Sequence, residues 1–186
     1  MRSLLRKFIP AVAAFALIFA GSVAAWADTD PLDQLFEDLQ SGVPEDIAEA
    51  EKQIWRLWSR SGSDSMDLLL ERGRRAMNAG DLDIAIEHLT ALTDHAPDFA
   101  EGWNARATAF FLKQEFALSV QDIERTLALN PRHFGAMVGF GMILEATDRY
   151  KQALSAYRAA QAVHPHLPNV LEAIERLESR ITGMSL

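Results

Sequence analysis

The chain has 186 residues, of which 49% are hydrophobic and 24% charged, and it contains no cysteine. This composition excludes collagen-like, disulfide-rich and intrinsically disordered proteins, and the lack of cysteine excludes a thiol nucleophile, a Cys-ligated metal site and a cysteine-based lipid anchor. With 26 acidic against 18 basic residues the net charge is −8, which disfavours nucleic acid as a partner because phosphate binding needs clustered Lys and Arg.

Residues 1–27 have the layout of a secretory signal peptide. Three basic residues precede an apolar run over 8–20, and Ala25-Trp26-Ala27 places small residues around the expected cleavage site. The run is short for a membrane span, which needs about 20 residues. We therefore expect cleavage before Asp28 and a periplasmic or secreted mature protein. An uncleaved leader that serves as a membrane anchor is the alternative, and only in that case do we expect membrane contact.

Residues 28–65 carry two amphipathic patterns that predict a pair of helices. Their apolar residues recur at helical spacing: Leu32, Leu35, Phe36 and Leu39 in the first, and Ile47, Ile54, Leu57 and Trp58 in the second. We expect this pair to cap the open N-terminal end of the segment that follows. Trp55 lies beside the apolar stripe, so at least one of the two tryptophans is expected to be partly exposed.

From residue 66 onwards the sequence repeats with a period of 34. Pro97, Pro131 and Pro165 are spaced by 34 residues, and each follows a segment whose pattern is typical of two helices. Because proline lacks an amide donor, it ends the second helix of each unit. Small and large apolar residues recur at the same interval: Gly73, Ala107 and Gly141; Ala85, Ser119 and Ala153; and Leu89, Ile123 and Tyr157. A single helical hairpin cannot bury its apolar face alone, so this period predicts stacked repeats.

The three units, 66–99, 100–133 and 134–167, resemble tetratricopeptide repeats. The resemblance rests on these residues: Trp103, Ala107, Phe110 and Pro131 in the second unit, and Gly141, Leu144, Tyr150, Ala153, Tyr157 and Pro165 in the third. The first unit fits less well, since Arg72 stands where the pattern prefers leucine. Arg106 and Ser119 depart from it in the second unit, and we expect these departures to weaken local stability.

The resemblance implies an all-α fold, an α-solenoid of three helix-turn-helix repeats with flanking N-terminal helices. At the other end, residues 168–186 predict a C-terminal capping helix and a tail. Val170, Ile174 and Leu177 lie on one face of that helix, and charged residues lie elsewhere on it.

No catalytic motif such as G-x-S-x-G or H-E-x-x-H is present, and we predict no enzyme activity and no cofactor. His133, His164 and His166 lie at or near the ends of predicted second helices, where we interpret them as partners of free backbone carbonyls. Metal binding is the alternative for His164 and His166, but two ligands alone do not make a site, so no metal is predicted.

The resemblance places partner binding on the inner face, which the first helix of each unit lines. The residues carried over to that face are Leu70, Arg74, Met77 and Asn78; Asn104, Thr108, Phe111 and Leu112; and Val138, Met142, Glu145 and Ala146. Family members that grip a C-terminal carboxylate use Lys, Asn and Arg at several of these places, where this chain has Leu70, Val138 and Met142. A mostly apolar groove suits an extended or helical apolar segment. The alternative is that some of these residues are core between adjacent units.

Together these patterns predict an exported, non-catalytic interaction module, an adaptor or assembly factor of the bacterial envelope. Its expected partner is a protein or peptide, with no nucleic acid and no evident small-molecule substrate. The alternative is a chaperone-like subunit of a periplasmic cytochrome maturation or secretion machine, which the resemblance suggests because tetratricopeptide modules recur in such systems.

Overall fold

The computed structural model describes residues 31–183, which form nine helices and no strand. The predicted signal peptide lies outside these residues. Within the described range, none of the helices has the length and apolar character needed to cross a bilayer. In chain order the helices are α1 Pro31–Asp38, α2 Pro44–Trp58, α3 Asp64–Ala79, α4 Leu82–His95, α5 Ala100–Leu112, α6 Phe116–Leu129, α7 Phe134–Ala146, α8 Tyr150–Val163 and α9 Pro168–Gly183.

The six central helices form three antiparallel hairpins, α3–α4, α5–α6 and α7–α8, which stack in chain order. Each hairpin turns through a residue in the left-handed region: Gly80 at φ 83°, Gln114 at φ 62° and Asp148 at φ 58°. Only the first turn uses glycine, the residue for which this conformation costs least. The three-repeat α-solenoid is confirmed.

Two glycines let the helices of a hairpin approach each other closely. A Cβ atom at Gly73 would lie 2.5 Å from Cγ of Leu89, and one at Gly141 would lie 2.7 Å from Cε1 of Tyr157. The closest side chains are not the small residues Ala85 and Ala153 but the large ones one helical turn further along, which fill the space that each glycine leaves.

The C-terminal helix covers the last repeat, as predicted. Val170, Ile174 and Leu177 of α9 pack in one cluster with Ala153 and Tyr157 of α8. Since these residues are buried, α9 removes from water an apolar face that the third hairpin cannot cover by itself.

The N-terminal hairpin, α1–α2 (residues 31–58), does not lie over the free end of the first repeat, where we expected it. Its buried residues Ile54 and Trp58 cluster with Phe134 of α7, far along the array. The surfaces of α3 and α7 explain this position. Arg72 and Arg75 are solvent-exposed on α3 and need no apolar cover, whereas Phe134 offers an aromatic surface to the apolar stripe of α2.

Candidate functional site on the inner face

The inner face, formed by α3, α5 and α7, contains a cavity of about 260 Å³ between α5 and α7. Most of its wall is apolar, and two of its large side chains, Leu112 and Met142, are 49% and 42% exposed. The lining residues are Asn104, Ala107, Thr108, Phe111, Leu112, Ser119, Ile123, Gly135, Ala136, Val138, Gly139 and Met142.

The cavity brings together the predicted groove residues of the second and third repeats. Six of those predictions line it: Asn104, Thr108, Phe111, Leu112, Val138 and Met142. Phe111 has a double role, because its ring also packs on Phe116 with centroids 5.8 Å apart. That these six residues contact a partner stays a prediction.

The predicted groove residues of the first repeat do not line this cavity. Leu70 is only 2% exposed and packs in a cluster with Leu89, Ala105 and Ala109, and Met77 packs against the same cluster. For Leu70 the structure shows the alternative, core between adjacent units, and Met77 is partly buried against that core.

Arg74 was expected to be a groove residue, but it is held in a polar network. Its guanidinium pairs with Glu101, which is 3% exposed, and Nη1 donates a hydrogen bond to Oγ of Ser59 at 3.0 Å. Asn104 Nδ2 donates to the second Glu101 oxygen at 3.1 Å. A buried carboxylate needs such partners, so Arg74 stabilises Glu101 and is not a free charge that could capture a ligand carboxylate.

His133 completes this network and plays a different part from the one we predicted. Its Nδ1 accepts a hydrogen bond from the amide of Ala136 at 3.1 Å, so it caps the start of α7 and does not satisfy carbonyls at the end of α6. Because Nδ1 accepts, Nε2 carries the proton and donates to Glu101 at 2.9 Å. Trp58 stacks on the His133 ring with centroids 4.2 Å apart.

Two glycines that the sequence analysis did not single out shape the cavity. Gly135 and Gly139 are one turn apart on α7, and both line it. A Cβ atom at Gly139 would meet only Cδ1 of Ile123, at 3.7 Å, so the space in front of this residue is open. Two glycines at positions i and i+4 beside Val138 and Met142 were a readable signal of a depression in that helix face.

The polar groups of the cavity are largely occupied within the fold. Thr108 Oγ1 donates to the carbonyl of Asn104 at 3.0 Å, and Ser119 Oγ donates to the carbonyl of Ala107 at 2.7 Å. These contacts leave apolar surface as the main chemistry that the cavity offers to a ligand.

One of the two tryptophans of α2 is partly exposed, as expected. Trp58 is 9% exposed, whereas Trp55 is half-buried and meets Phe134 edge-on with centroids 5.4 Å apart. Both contact α7 and therefore border the inner face.

His164 is 1% exposed and lies 3.6 Å, through Nε2, from Oε2 of Glu51 on α2. Burial lowers its pKa below the ordinary histidine value. Within residues 31–183, no group of three His, Asp or Glu side chains has an arrangement that could hold a metal ion.

A solenoid of helical hairpins with an open inner face defines a class of repeat protein, and sequence similarity identifies the family. The sequence matches the tetratricopeptide repeat family over residues 70–131 and 113–168. It is also 32% identical over 153 residues to a TPR repeat-containing protein of Rhizobium etli, which covers 82% of this chain and 75% of that protein. The chain belongs to the tetratricopeptide repeat family.

Solved structures support the same fold. The first TPR of Spaghetti (RPAP3), bound to the HSP90 peptide SRMEEVD, is 22% identical and superposes with a TM-score of 0.62, covering 64% of this chain and 95% of that one. MamA is 19% identical with a TM-score of 0.60, and the match covers 82% of this chain and 85% of MamA. At these identities the likeness shows the fold alone.

Proposed function

We propose that the protein is a non-catalytic interaction module that binds an apolar segment of a protein partner in the cavity between α5 and α7. The observation that carries this proposal is the pair of exposed apolar side chains, Leu112 and Met142, at an apolar cavity of the inner face. The first TPR of Spaghetti supports a peptide as the kind of ligand, because that structure has a similar fold and contains a bound peptide.

The size and chemistry of the cavity favour a peptide side chain over a whole small molecule. Its volume of about 260 Å³ lies below the roughly 300–1,000 Å³ of typical small-molecule pockets. One or two large apolar side chains of a partner segment suit such a space. Because Arg74 is already paired with Glu101, recognition of a terminal carboxylate is not part of the proposal.

We also propose that the protein acts outside the cytoplasm, as an adaptor or assembly factor of the bacterial envelope. The layout of residues 1–27 supports this location. A chaperone-like subunit of a periplasmic cytochrome maturation or secretion machine is the finer alternative, and the identity of the partner distinguishes the two.

Site-specific photo-crosslinking in intact cells tests the binding surface. A photoreactive amino acid at position 112 should trap a partner, whereas the same group at Leu118 should not. Leu118 is a matched control because its exposed fraction of 41% is similar to that of Leu112, and it does not line the cavity. Equal trapping at both positions would refute the proposed site.

The trapped partner then allows an affinity measurement. Leu112→Ala combined with Met142→Ala should weaken binding by about 2 kcal/mol or more, the range of an interface hot spot. Both side chains are substantially exposed, so the unfolding temperature should stay close to that of the parent. Unchanged affinity in a folded double variant would contradict the proposal.

A further inference from the structure

In the described part of the molecule, the interface between the N-terminal hairpin and the array contains buried polar atoms that lack hydrogen-bond partners. Among residues 31–183, three buried side-chain nitrogens have no hydrogen-bond partner: Nε1 of Trp58 and both ring nitrogens of His164. All three belong to residues at the boundary between α2 and helices α7 and α8. Leaving a buried polar atom unpaired costs about 1–3 kcal/mol, so this boundary is less stable than its apolar area suggests.

The same boundary adjoins the proposed binding cavity. Gly135 lines the cavity, and a Cβ atom on it would lie 2.7 Å from Cη2 of Trp55. Next to this contact, Trp58 stacks on the ring of His133, and Oγ of Ser59 accepts a hydrogen bond from Arg74. The hairpin therefore closes the groove at the level of Gly135 and Glu101.

The hairpin is joined to the repeats by a short connection that can act as a hinge. Residues 59–63 link α2 to α3 and include Gly62, whose φ of 85° is readily adopted only by glycine. A movement at this connection would carry Trp55, Trp58 and Glu51 away from the array together.

We propose that the N-terminal hairpin is a releasable cover of the inner groove, and that acidification releases it. Release extends the open groove from the cavity between α5 and α7 to the surface around Gly135, His133 and Glu101. The consequence for partner binding rests on the proposed function, whereas the movement of the hairpin does not.

The groups that face His164 decide the direction of the pH effect. Glu51 of α2 is 3.6 Å away, too far for a hydrogen bond, Phe134 of α7 meets the ring edge-on with centroids 5.2 Å apart, and His166 lies in the following loop. Burial, followed by the nearby His166, lowers the pKa of His164, and Glu51 raises it by less. The covered state therefore disfavours the protonated ring.

Release exposes His164 to water and returns its pKa to about 6.5. The released state then binds more protons than the covered state in the interval between the lowered pKa and 6.5. Cover stability is thus fully present above about pH 6.5 and is lost as the pH falls through that interval.

Tryptophan fluorescence of the exported chain, residues 28–186, measures the movement without any partner. In a Trp103→Phe background the two tryptophans of α2 are the only reporters. Acidification from pH 7.5 to 5 should shift their emission to the red while helical circular dichroism stays constant. A red shift that accompanies loss of helix would be unfolding and would overturn the proposal.

Two histidine variants identify the titrating group. His164→Leu should abolish the acid red shift, since it fills the site without a proton-binding nitrogen. His166→Ala, two residues away and exposed, should retain it. A red shift that persists in His164→Leu would assign the transition to another group and overturn the proposal.

A matched pair of glycine substitutions tests the cover at constant pH. At pH 7.5, Gly135→Ala should press on Trp55 and shift the emission to the red, whereas Gly139→Ala, in the same helix, should not. Photo-crosslinking from position 112 should then rise several-fold in Gly135→Ala. A red shift without that rise would overturn the role of the cover in binding and leave the cavity proposal intact. Absence of crosslinking in every variant would refute the cavity, with the hairpin movement still measured by fluorescence.

Discussion

Arg106 occupies a place where the repeat pattern prefers leucine, and its environment explains how the fold accommodates it. Its side chain is 14% exposed, and Nε and Nη2 bind the two carboxylate oxygens of Asp122 at 2.7 and 2.8 Å. Nη1 donates to Oγ1 of Thr93 at 2.8 Å. The expectation that this departure weakens the repeat did not include these partners, and it stays a prediction. They lie 13 and 16 residues away, beyond the reach of a helical spacing rule.

Removing one partner of this pair should be costly. Asp122→Ala leaves the Arg106 charge buried without its carboxylate, and we expect a loss of about 3–5 kcal/mol in the free energy of unfolding. Asp98→Ala, which removes an 89% exposed carboxylate from Arg125, should cost under about 1 kcal/mol. Urea denaturation of both variants measures the difference.

The leucine of the family pattern supplies the second test of this ion pair. Arg106→Leu combined with Asp122→Ala should recover most of the stability that Asp122→Ala loses, because an apolar pair needs no compensating charge. A double variant as unstable as Asp122→Ala alone would show that the cost arises from packing and not from the unpaired charge.

At the scale of one element, α7 contains three glycines with different surroundings. Of the 13 residues of this helix, Gly135 lies under Trp55, Gly139 faces the cavity and Gly141 lies against Tyr157. Glycine inside a helix costs roughly 0.5–1 kcal/mol relative to alanine, and close packing gives a reason to keep it at Gly135 and Gly141 but not at Gly139.

Alanine at two of these positions should act in opposite directions. Gly139→Ala should stabilise the fold by up to about 1 kcal/mol, because its Cβ meets only ordinary contact. Gly141→Ala gains the same helix propensity but presses on the buried Tyr157 ring, and we expect a net loss of about 1–3 kcal/mol. Thermal unfolding of the two variants distinguishes them, and similar unfolding temperatures would contradict the packing described for Gly141.

The helices were predictable because apolar periodicity and proline position depend on local geometry. The place of α2 was not, since an apolar stripe shows that a helix has a partner without showing which one. The stripe of Ile54 and Trp58 fitted a cap on the first repeat as well as a contact with Phe134. The exposed Arg72 on α3 was the available signal against a cap, because a covered position there would favour leucine.

For the whole molecule, the predicted groove residues line a cavity where the second and third repeats meet, but not at the first repeat. The period placed Leu70, Asn104 and Val138 in one column, but their surroundings differ. Leu70 is buried in the core, whereas Asn104 and Val138 line the cavity. A repeat pattern gives equivalent positions, and the neighbours of each repeat decide which of them remain open.

The predicted export also belongs to the scale of the whole molecule, and the mass of the mature chain tests it directly. Cleavage before Asp28 leaves 15 basic and 26 acidic residues, a net charge of −11. Intact-mass analysis of protein recovered from the envelope should give a chain that begins at Asp28. A mass that includes the first residues would indicate a retained anchor and would contradict the proposed location of a soluble exported protein.

The distant partner of α2 imposes an order on biosynthesis. Trp58 stacks on His133, which follows it by 75 residues in the chain. At a synthesis rate of about 5–20 residues per second, Trp58 precedes its partner by roughly 4–15 s. During that interval the aromatic stripe of the nascent hairpin has no native surface to cover it, because the third repeat has not yet been synthesised.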